Sequence, residues 1–191
     1  MLVDAEEEYS EAEIKKLRHD VVREGLGVFV VGDWYNVKQM ESMRFFDDNT
    51  HSHWTPVTGG ANVPALNDLL KPFGFAFGDA ILHGAATLNG QAVAIASGAN
   101  IARVPAGAFV HKAFVADKAP KGGTGAGGGK AAVSGGGGNK EHVVAAFFQV
   151  PGERGGAVRS DDDSDDASVG SPAGRLAIYG DSNCLDSSHT S

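Results

Sequence analysis

The sequence contains one cysteine, Cys184, and no apolar run long enough to cross a bilayer. A membrane-spanning helix needs about 20 mostly apolar residues, and the apolar runs here are much shorter. A single thiol provides no disulfide framework and does not define a redox compartment. The first ten residues have neither a basic segment nor an apolar centre, so they do not resemble a secretory signal.

Basic residues are also scarce. The chain has 16 Lys and Arg against 24 Asp and Glu, which gives a formal net charge of −8. The acidic excess comes mainly from two clusters, at 6–13 and 161–166, and the basic residues form no stripe along the sequence. Nucleic acid is therefore not expected as a partner.

Glycine is abundant but unevenly distributed. Of the 191 residues 27 are glycine, and most of them lie within 118–139 and 152–174. Neither stretch has the apolar periodicity needed to bury a core, so we expect two disordered insertions, the second of them acidic. The other residues, about 145, fit one domain of ordinary size, which we place at 7–191.

The remaining pattern predicts an α/β fold. Ser10 and Glu13 form a capping box that begins a helix, and Gly25 ends this helix. Asn62 caps another helix with Pro64 in its first turn. The predicted elements are helices after Ser10, at 37–46 and after Asn62, a loop at 47–58, strands at 26–31, 75–77, 143–150 and 176–179, and hairpins within 81–110. Because the strands at 26–31 and 143–150 are continuously apolar, we expect an open, mostly parallel sheet with a β-hairpin excursion.

Two of these strands end in the same dipeptide, Gly32-Asp33 and Gly180-Asp181. We expect the two strand ends to lie side by side at the carboxyl edge of the sheet. Asp33 is expected to accept hydrogen bonds from the helix that begins near Asn36. Asp181 is expected to accept them from the terminal turn.

The same edge is the usual ligand site of an open α/β sheet. The turn Thr58-Gly59-Gly60-Ala61-Asn62 precedes a helix, and such glycines leave backbone N–H groups pointing outward. Two interpretations remain open for Asp33, Asp181, Ser182 and this turn: a ligand pocket, or a purely structural edge. Two carboxylates at the edge would repel an anion, which disfavours phosphate.

Ser182 and Cys184 are the candidate nucleophiles. Gly-Asp-Ser after an apolar strand is similar to the GDSL esterases, in which the histidine base comes from far away in the sequence. Here His189 follows within seven residues, a spacing that rarely permits alignment with Ser182 and leaves little room for a substrate. Cys184 lies in no Gly-x-Cys-x-Gly elbow. We therefore favour a structural turn and predict no catalytic residue.

Metal binding is weighed at one loop. His51 and His53 lie close to Asp47 and Asp48, but no second cluster has ligand spacing. A solvated polar loop is the favoured interpretation, so neither a metal nor a cofactor is predicted.

Several irregular motifs together resemble one family. They are GDWYN at 32–36, FFDDNT at 45–50, the W-x-P at 54–56, TGGAN-x-PALN-x-LL at 58–70 and GDSNCLDSSH at 180–189. They resemble the membrane-bound transcription factor site-1 proteases, subtilisin-like serine endopeptidases of the Golgi that process membrane-bound transcription factor precursors. The matching region lies downstream of the protease domain and resembles a degenerate class I amidotransferase-like domain.

The resemblance implies a non-catalytic accessory domain, because the Asp, His and Ser motifs of subtilases are absent from this sequence. Such a domain would brace the catalytic subtilase domain of a parent chain or dock a luminal protein partner. The alternative is a small-molecule-binding amidotransferase-like module. The resemblance further implies the Golgi or ER lumen, a membrane-anchored parent, a chain that is a fragment or truncated gene model, and Cys184 as half of a disulfide.

Overall fold

The computed structural model describes residues 1–117, 140–151 and 174–183. In chain order, the elements within these ranges are β1 (Leu2–Val3), α1 (Glu11–Arg23), β2 (Gly27–Val31), α2 (Val37–Ser42), β3 (Phe45–Asp47), β4 (Ser52–Trp54), α3 (Val63–Leu70), a 3-10 turn (Lys71–Phe73), β5 (Ala76–Leu88), β6 (Gln91–Arg103), β7 (Phe109–Asp117), β8 (Lys140–Gln149) and β9 (Arg175–Tyr179). The insertions proposed at 118–139 and 152–174 lie outside the described residues, except for Gly174.

The main sheet has seven strands in the order β1-β2-β9-β8-β7-β5-β6. Strands β1, β2 and β9 are parallel to one another. The pairs from β9 through β8, β7 and β5 to β6 are antiparallel. The predicted open α/β sheet with a hairpin excursion is confirmed. Its parallel part comprises the first three strands of this order.

Helix α1 begins and ends as its sequence predicts. The Ser10 side chain accepts a hydrogen bond from the Glu13 N–H, and the Glu13 carboxylate accepts one from the Ser10 N–H at 2.8 Å. Gly25 has a φ of 71°, the left-handed conformation that ends many helices. Val21 and Val22 are buried against the sheet, because they lie on the apolar face of the helix.

Helix α3 is also set by its caps. Asn62 Oδ1 accepts a hydrogen bond from the Ala65 N–H at 3.2 Å, and Pro64 lies in the first turn. Gly74, at a φ of 80°, ends the 3-10 turn that follows α3. Both capping predictions are therefore confirmed.

The segment between α2 and α3 differs from the sequence prediction. Helix α2 ends at Ser42 rather than at residue 46, and the predicted loop at 47–58 contains strand β4. Strands β3 and β4 form an antiparallel hairpin in which Phe45 pairs with Trp54. The Asp47 carboxylate holds its turn by accepting hydrogen bonds from Thr50, and this local cap competes with the helix.

The principal core lies on one face of the sheet. Helices α1 and α3 pack there against alternate residues of β2, β9 and β8, including Val30, Ile178 and Ala146. On the other face, the tip of the β5–β6 hairpin covers a smaller cluster of Val31, Ala145 and Tyr179. Within the described ranges, no helix combines the length and the apolar character that a bilayer span requires.

Candidate functional site

Asp33 and Asp181 lie side by side at the carboxyl edge of the sheet. Strands β2 and β9 are adjacent and parallel, with Val31 opposite Tyr179, and each aspartate follows its strand by two residues. The predicted proximity of the two strand ends is confirmed. Asp33 is 8% exposed and Asp181 is fully buried, so both carboxylates need hydrogen-bond donors inside the fold.

Asp33 obtains its donors from three directions. Its Oδ1 accepts the Trp34 N–H at 2.9 Å, and the Ser97 hydroxyl donates from 3.0 Å to Oδ1 and 2.9 Å to Oδ2. Asn183 Nδ2 lies 3.4 Å from Oδ2. The expectation that Asp33 serves helix α2 was wrong. The Asn36 side chain caps this helix itself by accepting the Gln39 N–H at 3.0 Å.

Asp181 is held by backbone and amide donors. The Ala96 N–H reaches Oδ2 at 3.1 Å. The Asn183 N–H and its side-chain Nδ2 reach Oδ1 at 3.1 and 2.9 Å. Asp181 therefore organises the turn that follows β9, as predicted, and it also attaches that turn to strand β6.

Strand β6 crosses the carboxyl edge and closes it. Gly98 bridges to Asp33, and the Ala99 N–H donates to the Gly180 carbonyl at 2.6 Å. The backbones approach so closely that a Cβ on Gly98 would overlap the Gly180 carbonyl oxygen, and one on Gly180 would overlap the Ala99 carbonyl oxygen. The edge where open α/β sheets usually bind ligands is here occupied by the chain's own backbone.

The sequence analysis missed two residues of this cluster, Ser97 and Asn183. Asn183 Nδ2 donates to the Ser97 hydroxyl at 2.9 Å and contacts both aspartates, so this amide joins the two carboxylates. The pair Ser97-Gly98 was interpreted only as a break between hairpins. Nothing local in the sequence indicates that β6 returns 64 residues later to cover Asp33.

Burial raises the pKa of Asp33 to about 6, from an ordinary value of 3.8. Hydrogen bonds from Ser97 and Trp34 oppose this effect, whereas the charges of Asp181 and Asp4 add to it. Desolvation thus outweighs the donors around the carboxylate. A carboxyl group of this kind is a candidate general acid only if a substrate can reach it, and strand β6 stands in the way.

The turn at 58–62 packs onto the same cluster. The Gly60 N–H donates to the Trp34 carbonyl at 2.8 Å, and a Cβ on Gly60 would lie 2.6 Å from the Asp33 carboxylate. Gly59 lies equally close to Trp34, while Thr58 is half-buried beside it. These glycines allow close packing of the turn. The Gly60 N–H, which an anion would need, already has an acceptor.

Asn62 serves the chain rather than a ligand. Its Oδ1 caps α3, and its Nδ2 donates to the Glu6 carbonyl at 2.9 Å. Ser182 is half-buried after Asp181. Cys184 and His189 lie outside the described residues.

The histidine loop forms the exposed β3–β4 hairpin. The His53 ring packs edge-on against Phe46 at 5.2 Å between centroids. Hydrogen bonds from Thr50 lower the pKa of Asp47, which is already committed to the turn. Across 1–117, 140–151 and 174–183, no three His, Cys, Asp or Glu residues are grouped as a metal site would require.

Comparison with known proteins supplies the family. Residues 1–191 match the family described as "MBTPS1, fourth GATase-like domain". The subtilisin-like protease SBT6.1 of Arabidopsis thaliana is 44% identical over 189 residues, which are 99% of this chain and 16% of that protein. The human membrane-bound transcription factor site-1 protease is 36% identical, and the rat protein 37%, each over 99% of this chain.

The chain spans only 15–16% of the length of these relatives. The resemblance found in the sequence motifs is thereby confirmed. So is the amidotransferase-like character of the sheet, because GATase denotes that class of domain. This chain belongs to the family of fourth GATase-like domains of subtilisin-like site-1 proteases.

Proposed function

We propose that this chain is a non-catalytic accessory domain of a subtilisin-like site-1 protease, in which it braces the catalytic domain. The observation that carries the proposal is the closed carboxyl edge. Strand β6 contacts both strand ends there, and the Gly98–Gly180 crossing leaves no gap between the backbones. A domain whose usual ligand edge is filled by its own backbone acts through its fold and its surface.

The polar groups at this edge support the same conclusion. A catalytic carboxylate must face the reacting atoms, whereas Asp181 is fully buried and faces donors of this chain. Asp33 likewise faces Ser97 and Trp34. The edge offers a small molecule neither a free donor among these contacts nor an open approach. The alternative of a small-molecule-binding module is therefore less well supported than the accessory role.

We extend the proposal to the whole protein by analogy with the relatives. The parent would be a membrane-anchored serine endopeptidase that processes membrane-bound transcription factor precursors in the Golgi or ER lumen. The catalytic subtilase domain would be the partner of this domain within the chain, and a luminal protein a second one. In this setting Cys184 would form a disulfide with a cysteine outside the present sequence.

The experiment is a search for turnover by the purified chain. Peptide, acyl-ester and glutamine substrates are incubated with the wild-type protein and with Ser182→Ala, after circular dichroism has verified that both are folded. We expect hydrolysis at the buffer rate in both cases. Turnover that Ser182→Ala abolishes would contradict a non-catalytic domain. Saturable binding of a small molecule, lost in Asp33→Asn, would favour the alternative.

A further inference from the structure

One face of the main sheet carries an uncovered apolar row that crosses four strands. Phe29 of β2 is opposite Ala177 of β9, which is opposite Phe147 of β8, which is opposite Phe109 of β7. Phe109 is 65% exposed and Phe147 is 50% exposed, although their rings lie 6.4 Å apart. We call these four residues the aromatic row. They line a groove of about 570 Å³.

The aromatic row points away from the helices. Successive side chains of a strand alternate between the two faces of a sheet. The sequence neighbours of the row, among them Val28, Leu176 and Phe148, belong to the core that α1 and α3 cover. The two helices therefore cannot shield the row, and it lies on the opposite face.

The next row on this same face is covered. Val31, Ala145 and Tyr179 are buried beneath Leu88 and Val93 at the tip of the β5–β6 hairpin. The hairpin thus shields one row and stops short of the aromatic row. Parallel strands are normally covered on both faces, so the bare row is an unfinished part of the apolar packing.

The rest of this chain has little with which to cover the row. Residues 118–139, 152–173 and 184–191 contain no Phe, Trp or Tyr. Their only large aliphatic side chains are three valines and one leucine. A covering surface for two exposed phenylalanines would have to come from outside this sequence.

The size of the row indicates what kind of partner fits. Four strands span three spacings of about 4.8 Å, so the row is roughly 14 Å wide and covers on the order of 200 Å² of sheet. A stable complex between separate proteins buries about 800 Å² on each partner. A patch this small suffices when the partner is tethered, because tethering raises its effective concentration.

We propose that the aromatic row docks another domain of the same polypeptide, through an apolar surface with a carboxylate opposite Arg175. This inference rests on the proposed accessory function. The relatives supply the remaining length, since this chain matches only 15–16% of them, and the family name counts this GATase-like domain as the fourth. Arg175 is exposed at the rim of the groove, which gives the interface a charged edge around its apolar centre.

Hydroxyl-radical footprinting of phenylalanine tests the proposal. The isolated chain and the full parent protease are labelled in parallel, and oxidation rates are read by mass spectrometry. Phe114, on the same strand as Phe109 and 68% exposed, is the matched control. We expect Phe109 and Phe147 to label at least fivefold more slowly in the parent than in the isolated chain, with Phe114 changing less than twofold.

The other outcomes each overturn the proposal. Equal rates in the two proteins would mean that nothing covers the row. Protection in the isolated chain that is lost on dilution would identify a second copy as the occupant, and protection independent of concentration would identify this chain's own segments. A fivefold loss at Phe114 as well would mean that the protection is not specific to the row.

A substitution gives an independent measurement. Phe109→Ser together with Phe147→Ser should leave the melting temperature of the isolated chain within about 2 °C of wild type, because exposed side chains contribute little to stability. The same pair should lower the melting temperature of this domain in the parent protease by several degrees, and Phe114→Ser should not. Equal effects in both proteins would overturn the docking role. Neither result bears on turnover, so the proposed non-catalytic function fails or stands separately.

Discussion

The raised pKa of Asp33 predicts an unusual pH dependence of stability. The folded protein holds the Asp33 proton up to a pKa of about 6, whereas the unfolded chain releases it near 3.8. Between these values the folded state binds more protons, so raising the pH favours unfolding. The stabilisation is complete below pH 3.8 and is lost as the pH rises through 6. This sign is opposite to that of a salt-bridged aspartate.

The magnitude follows from the difference between the two pKa values. At about 1.36 kcal/mol per pKa unit, ionised Asp33 costs the folded state about 3 kcal/mol relative to its protonated form. At pH 5 about 1.4 kcal/mol of this stabilisation remains, and by pH 7.5 almost none does. Because Asp33 is only 8% exposed, solvent screening reduces these values little.

The assay is urea unfolding followed by circular dichroism at half-unit steps from pH 5 to pH 7.5. Wild type is compared with Asp33→Asn, whose amide keeps the acceptor for Trp34 but does not titrate. Subtracting the two curves cancels the groups common to both proteins. We expect wild type to lose about 1.4 kcal/mol relative to the variant across this range. A flat difference, or one of opposite sign, would refute the reasoning.

Three further predictions concern the same architecture. Asp181→Ala should lower the free energy of unfolding by about 1–3 kcal/mol, because the buried Ala96 N–H loses its acceptor; chemical denaturation that shows no loss would contradict this. Gly98→Ala should destabilise by about 1–3 kcal/mol or more, because the new Cβ meets backbone. Gly27→Ala, with nothing within 4 Å of its Cβ, is the matched control and should be neutral or stabilising in the same unfolding assay. Replacing 118–139 by a short Asn-Gly turn should leave the melting temperature nearly unchanged, because the strands it joins are already paired, and a drop of more than about 5 °C would mean that the segment packs.

The parts of the fold that local signals specify were predictable from the sequence. The capping box at Ser10, the Asn62 cap and the left-handed Gly74 each depend on residues within one helical turn. The position of Asp33 beside Asp181 was also predictable, because carboxyl ends of parallel strands share one edge of a sheet. The short α2 was not, because the turn held by Asp47 and Thr50 competes with helical propensity.

The closure of the carboxyl edge was not predictable from one sequence. It depends on contacts between residues far apart in the chain, such as Ser97 with Asp33 and Ala96 with Asp181. Periodicity indicates that a hairpin forms, but it does not give the position of that hairpin over the sheet. The candidate site was therefore identified in its two aspartates and missed in Ser97 and Asn183, which decide between a pocket and a structural edge.

The most direct test of the central claim is the turnover of the parent protease with Asp33→Asn and Asp181→Asn introduced together. The kcat for peptide cleavage is measured per titrated active site, so that only folded enzyme is counted. If the carboxyl edge of this domain is structural, kcat and KM remain within twofold of wild type, while the melting temperature of the domain changes. A loss of kcat of tenfold or more, with the melting temperature unchanged, would contradict the account.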